Sequence, residues 1–149
     1  MLTRPQDIVD LFSILHDGRI CHWEGTTERL RLRVFCDYLA QLIDPAFEHF
    51  TVELHQVDQL AFRTWPNPFD GPVELLSTVD GIFRPELEIL STDLVGNAVE
   101  ITCNQHDPAY PYCGGVLSFV CAGAVVRDQR QHELTLEQMD ALGQQYWNR

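Results

Sequence analysis

The feature that most narrows the folds open to this chain is a two-residue alternation of apolar and polar side chains. It recurs in separate segments between two helical ends. Leu30, Leu32, Val34 and Cys36 alternate with Arg29, Arg31, Arg33 and Phe35, the pattern of a strand with one buried face. Before it, Ile20, His22 and Glu24 fall on one side and Cys21 and Trp23 on the other. The turn residues Gly25, Thr26 and Thr27 then join the two runs into a hairpin. From Phe50 to Phe62 the pattern is β again, with Phe50, Val52 and Leu54 opposite Thr51, Glu53 and His55; its phase slips near Val57-Asp58, the mark of a bulge or turn. Leu87 to Leu94 and Ala98 to Cys103 read as paired strands around Gly96-Asn97. Val116 to Val126 is almost wholly apolar, which places it centrally in a sheet with both faces covered. Tyr38 to Ile43 fits either a short helical turn or irregular strand.

Both ends carry helical spacing instead. Ile8, Val9, Leu11, Phe12 and Leu15 form one stripe between Arg4 and His16. Thr3 and Gln6 have capping-box spacing, Pro5 lies in the first turn, and Gly18 is the expected left-handed cap residue. At the other end Thr135 and Gln138 have capping-box spacing, Leu134 and Met139 that of a hydrophobic staple, and Leu136, Met139, Leu142 and Tyr146 supply the buried stripe. Strands between terminal helices, with no strand–helix alternation, predict an α+β fold: a mainly antiparallel β-sheet flanked by N- and C-terminal helices. A length of 149 residues with 45% hydrophobic and 21% charged residues fits one domain, 1–149, with enough apolar surface to bury a core.

Charge limits the partners. The formal net charge is −12 and every basic residue is an arginine, so Schiff-base chemistry and a phosphate-loop lysine are absent. Such a surface repels polyanions, so no nucleic acid is expected. No apolar run approaches the roughly 20 residues that span a bilayer, and Met1 to Asp10 lacks the apolar stretch of a signal peptide. Five cysteines without a CxxC pair read as reduced thiols in a cytosol.

Three places invite a functional reading. His16-Asp17-Gly18 sets an imidazole beside a carboxylate, but a histidine at a helix end followed by glycine is also a complete capping arrangement. The tract from Cys103 to Cys113 (CNQHDPAYPYC) holds His106 and Asp107. Its spacing matches no zinc pattern, so no metal is expected, and Cys103 continues a strand as a small hydrophobe. A loop from Asn104 to Gly115 with Tyr110, Tyr112 and two prolines reads equally as a binding loop or as a connection pinned by aromatic packing. Trp65 and Phe69 sit in a loop, Trp65 to Pro72 (WPNPFDGP), either as exposed interface anchors or as a cap on the core. Glu86, Glu88 and Glu100 are expected to line one sheet face. No GxSxG, glycine-rich phosphate loop or HExxH occurs; no nucleophile is marked and no cofactor is implied.

The run FSILHDGRI, followed by LRLRVFCDYL, FTVELHQVDQLAFRTW and an ELEI…NAVEITC segment, resembles small uncharacterised bacterial proteins that open with a helix and an HDG turn. The likeness covers about the first two thirds of the chain and rests mainly on His16, Asp17, Gly18 and Ile20. Some proteins of that type are similar to immunity proteins of contact-dependent or polymorphic toxin systems. No catalytic residues come with the resemblance; it implies a bacterial, cytoplasmic binding module. The sequence therefore favours an interaction module over an enzyme, engaging a basic protein partner, with His16, Asp17, Trp65, Phe69, His106, Asp107, Tyr110 and Tyr112 as candidate contacts. The alternative is a small-molecule binder or enzyme whose pocket uses His16, Asp17 and His106. Oligomeric state is not encoded in any of these patterns.

Overall fold

The computed structural model describes residues 1–148. The alternating segments become strands β1 (Arg19–Thr26), β2 (Arg29–Phe35), β3 (His49–His55), β4 (Asp58–Pro66), β5 (Leu75–Leu76), β6 (Leu87–Val95), β7 (Ala98–Asn104), β8 (Tyr112–Val120), β9 (Gly123–Arg127) and β10 (Glu133–Leu134). Helices α1 (Pro5–Ile14) and α4 (Leu136–Trp147) flank them, with short helices α2 (Asp37–Ala40) and α3 (Val79–Phe83) between. The fold is α+β. Its ten-stranded antiparallel sheet has the order β10-β9-β3-β2-β1-β6-β7-β8-β4-β5.

One pairing dictates the shape. Only Gln56 and Val57 separate β3 from β4, and only Cys121 and Ala122 separate β8 from β9, yet each pair of strands sits six places apart in the sheet. His55 pairs with Gly123 and Asp58 with Val120, in one unbroken register, and the Ala122 amide donates to the His55 carbonyl across the gap at 2.8 Å. Residues 49–66 and 112–127 are thus a single two-stranded ribbon bent at a corner. Strands β2, β1, β6 and β7 fill the span between its two halves, so the sheet curls strongly around its own core. Gln56 (φ 51°) and Gln59 (φ 54°) adopt left-handed conformations that turn the corner.

The inner side holds one cluster of buried residues in which Leu30, Leu32, Val34, Phe50, Val52, Phe62, Ile101 and Leu117 meet the stripe of α1. Phe12 of α1 packs edge-on against Phe119 of β8, ring centroids 6.2 Å apart. Helix α4 lies against α1 and α2, with Met139 fully buried and Tyr146 tilted on Tyr38 at 4.7 Å. Its expected capping box is present: the Gln138 amide donates to Thr135 Oγ1 at 3.1 Å and the Thr135 amide to Gln138 Oε1 at 2.8 Å.

Several local expectations are corrected. Helix α1 begins after Arg4 without a side-chain cap, because Gln6 turns to Asp10 (2.8 Å) and Arg4 to Asp7 (both bonds 3.0 Å). Asp17 (φ 68°), not Gly18, carries the left-handed turn; Gly18 is required because a Cβ there would lie 2.7 Å from the Leu15 carbonyl oxygen. A bulge between Ile20 and His22 puts Trp23 rather than His22 on the side of Ile20. Tyr38 to Ile43 is helical at its start, within α2. The run Val116–Val126 is broken at the corner, and Val116, Ser118 and Val120 remain half-buried, so within that run it is the β9 part that is covered on both faces. Strand β4 extends to Pro66, and Tyr112–Gly115 belong to β8, so the tyrosine loop spans only 105–111.

At Gly115 an added Cβ would fall 2.2 Å from the Arg63 carbonyl oxygen and within 2.9 Å of the Phe62 ring. Gly115→Ala is therefore expected to cost about 2–3 kcal/mol in denaturant unfolding, since backbone as well as side chain must move. Loss of the cap in Thr135→Ala is expected to cost about 1 kcal/mol in the same measurement.

Candidate functional site

The eight residues singled out from the sequence fall into three neighbouring places. His16 lies just past α1, its Nδ1 2.7 Å from the Ser13 carbonyl oxygen and its ring stacked on Trp147 at 5.1 Å. Its own carbonyl accepts from the Tyr38 hydroxyl. Asp17 is exposed, 4.0 Å from His16 Nε2, and its amide donates to the Ile89 carbonyl at 2.7 Å. The triplet thus closes a helix and ties it to β6.

His106 and Asp107 stand across β6 from that turn. Glu88 Oε1 accepts from Asn104 Nδ2 at 3.1 Å and contacts His106 Nε2 at 3.2 Å. The Asn104 amide is the main reason that the Glu88 carboxyl is held below its ordinary range; His106 adds to it. Glu88 and His106, together with Arg19, Glu86 and Asp107, line a cavity of about 300 Å³; His16 and Asp17 are not part of that lining. Glu86 is paired with Arg19 at 3.2 Å. The loop is fixed from beneath by buried Gln105, whose Nε2 donates to the carbonyls of Tyr112 (2.7 Å) and Asp107 (3.1 Å). Tyr112 is buried beside Phe62 (6.0 Å), and Tyr110 leans on Tyr112 at 6.0 Å.

Trp65 and Phe69 lie on the far side of the same loop, because the Asn67 amide donates to the Pro111 carbonyl at 3.1 Å. Phe69 is 91% exposed, and Val73 (62%), Leu75 (66%) and Trp65 (37%) are open to solvent with it. The segment is tethered rather than loose: Thr64 Oγ1 accepts from the Glu74 amide at 2.9 Å, and the Thr64 amide donates to the Glu74 carbonyl at 3.0 Å. Leu75 also borders a groove of about 420 Å³ shared with Ala61, Arg63, Glu100, Val116 and Ser118. The fold therefore places Trp65, Phe69, Tyr110 and Tyr112 at one end of the sheet, with His106 and Asp107 adjoining.

One constellation escaped the sequence reading. Glu53, on the outer face of β3, has a side chain only 3% exposed. Its Oε1 accepts from Arg29 Nε at 2.9 Å and contacts His55 Nε2 at 2.8 Å; its Oε2 faces Arg127 Nη1 at 3.3 Å and Arg31 Nε at 3.4 Å. Burial alone would raise this carboxyl, but the hydrogen bonds from Arg29 and His55 and the charges of Arg127 and Arg29 outweigh it and hold it low. The signal was present: Arg29, Arg31 and Arg33 share the outer side of β2, and Thr51, Glu53 and His55 that of β3. Only the register, which sets Arg31 opposite Glu53, brings the two rows together.

All five cysteines are free. Burial pushes the Cys103 thiol up to about 12 and the Cys36 thiol up to about 11, which makes them packing groups rather than nucleophiles. Among the described residues, no group of three or more His, Cys, Asp or Glu side chains is placed to hold a metal ion, and no helix is long and apolar enough to cross a membrane. Comparison of the chain with protein-family models, with curated proteins and with solved structures finds no match.

Because the Glu53 carboxyl is lower in the folded state than in the unfolded chain, its contribution is complete above the unfolded value of about 4.5 and is lost as pH falls through the lower, folded value. Urea titrations from pH 7 downward should show wild type losing stability below about pH 4.5 more steeply than Glu53→Gln. At pH 7 the variant should be less stable by about 2 kcal/mol, since three guanidinium groups lose their shared carboxylate. Parallel pH profiles for the two proteins would contradict this assignment.

Proposed function

We propose that the chain is a protein-interaction module that engages a basic partner at the end of the sheet formed by β4, β5 and the two adjoining loops. The observation that carries this reading is Phe69, 91% exposed beside exposed Val73 and Leu75. Large apolar side chains held open on tethered backbone favour association, since covering them releases ordered water at little conformational cost. Asp70 and Glu74 flank them and Glu100 lines the adjoining groove, against the single cation Arg63 there. An acidic rim around an apolar anchor selects a partner with basic residues around an apolar pocket.

The net charge of −12 adds long-range attraction for such a partner. A toxin held inactive by its immunity protein, in a bacterial cytosol, fits these demands and agrees with the resemblance drawn from the HDG turn. The rim is better represented by Asp70, Glu74 and Glu100 than by Glu86 and Glu88, since these last two are occupied by Arg19, Asn104 and His106. A second reading, a small-molecule site, has one supporting observation: the cavity where His106, Glu88 and Arg19 converge. His16 and Asp17 belong to the neighbouring helix end and add nothing to that lining.

Affinity capture from a bacterial host, with wild type, Phe69→Ala/Leu75→Ala and Asp70→Asn/Glu74→Gln/Glu100→Gln as parallel baits, tests the proposal. A basic protein retained by wild type should bind the apolar double variant at least about 30-fold more weakly. It should associate more slowly with the neutralised bait, with a flatter salt dependence. A captured protein whose affinity and on-rate ignore both sets of substitutions would overturn the proposal.

A further inference from the structure

We infer that the outer face of β2, β3 and β9 is a receiving site for a phosphate group, held between Arg33 and Arg127 above Thr51. Strand register sets out the face in rows: Arg33–Thr51–Arg127, then Arg31–Glu53–Val125, then Arg29–His55–Gly123. Four of the chain's ten basic residues therefore stand on three adjacent strands of a protein whose net charge is −12. The carboxylates set among them are Glu53, Glu24, which lies 3.3 Å from Arg31, and Glu133, which stands opposite Arg127 on β10 and lies 3.7 Å from the amino terminus of Met1.

Glu53 has no capacity to spare. Both oxygens of Glu53 are already taken up by Arg29, His55, Arg127 and Arg31, and the buried Nε of Arg31 is left without a hydrogen bond. An unsatisfied buried donor such as Arg31 Nε costs free energy, whereas an exposed guanidinium is served by water and is free to exchange it for an anion. Arg33 is the clearest surplus. Among the described residues its exposed guanidinium has no hydrogen bond or ion pair, and it shares the Thr51 row with Arg127, which spends one nitrogen on Glu53.

Strands are about 4.8 Å apart, so these two arginines flank a gap of about 10 Å, which long side chains close easily around one tetrahedral anion. Gln131, left-handed at φ 68°, sets its amide at the rim, 3.4 Å from Thr51 Oγ1, while its Oε1 accepts from Arg31 at 3.2 Å. Guanidinium forks with neighbouring amide and hydroxyl donors match phosphate geometry. The field of the whole chain repels long polyanions, so the ligand class is a small phosphate: the free ion or a phosphate ester.

Calorimetric titration with inorganic phosphate at low ionic strength tests the site, with ADP as the arm that carries its phosphates on an organic group. Saturable phosphate binding is expected, at least about tenfold weaker in Arg33→Gln, partly restored in Arg33→Lys and unchanged in Arg84→Gln. Among the described residues the Arg33 side chain makes no hydrogen bond or ion pair that Arg33→Gln would remove, so the variant's fold, checked by circular dichroism, should match wild type. Tighter binding of ADP than of phosphate would identify an ester as the ligand; equal affinities would identify the free ion. No saturable binding of either probe, or equal weakening by Arg33→Gln and Arg84→Gln, overturns the inference.

Discussion

The bent ribbon of residues 49–66 and 112–127 is the constraint from which the rest of the architecture follows. Its two strands keep one register through the corner while its halves lie at opposite sides of the sheet. The remaining strands must bridge those halves, which forces curvature, and curvature leaves an inner hollow that only a helix can fill. The apolar stripe of α1 supplies that filling, with Phe12 reaching Phe119. Corner, curl and helix are therefore one packing solution, and weakening the corner should loosen all three together.

The same curl sorts the side chains by chemistry. The inner side is almost wholly apolar, Thr64 of β4 being a buried exception, while the outer side is divided along the strand order. Arginines cluster over β2, β3 and β9; carboxylates and exposed apolar groups gather toward β6, β7 and the β4–β5 end. A chain with a net charge of −12 thus presents a basic island opposite its acidic end. The two surfaces proposed above use these different regions, so one can fail without the other.

Local patterns in the sequence were enough for the elements. The alternation in 29–36, the pair around Gly96-Asn97, the stripes of both helices and the Thr135–Gln138 box are each written within a few consecutive residues, and each forms as expected. What could not be read depends on partners distant in sequence. The slip near Val57-Asp58 signalled a turn, but whether it made a tight hairpin or a corner is decided by the pairing with Val120 and Gly123. Gly114 and Gly115 looked like loop residues until their contacts with Cys103, Asn104 and Arg63 showed strands in close approach. Glu53 read as an ordinary wet-face residue because burial by arginines of neighbouring strands leaves no mark in its own segment.

The shortness of the outermost strands has a consequence for recognition. The sheet ends in β5 and β10, each only two residues long, so neither outermost strand offers a long ladder to a visitor. A visiting chain cannot gain much by continuing the ladder there. For the interaction proposed at the β5 end, selectivity must then reside in side-chain shape and charge rather than in backbone pairing.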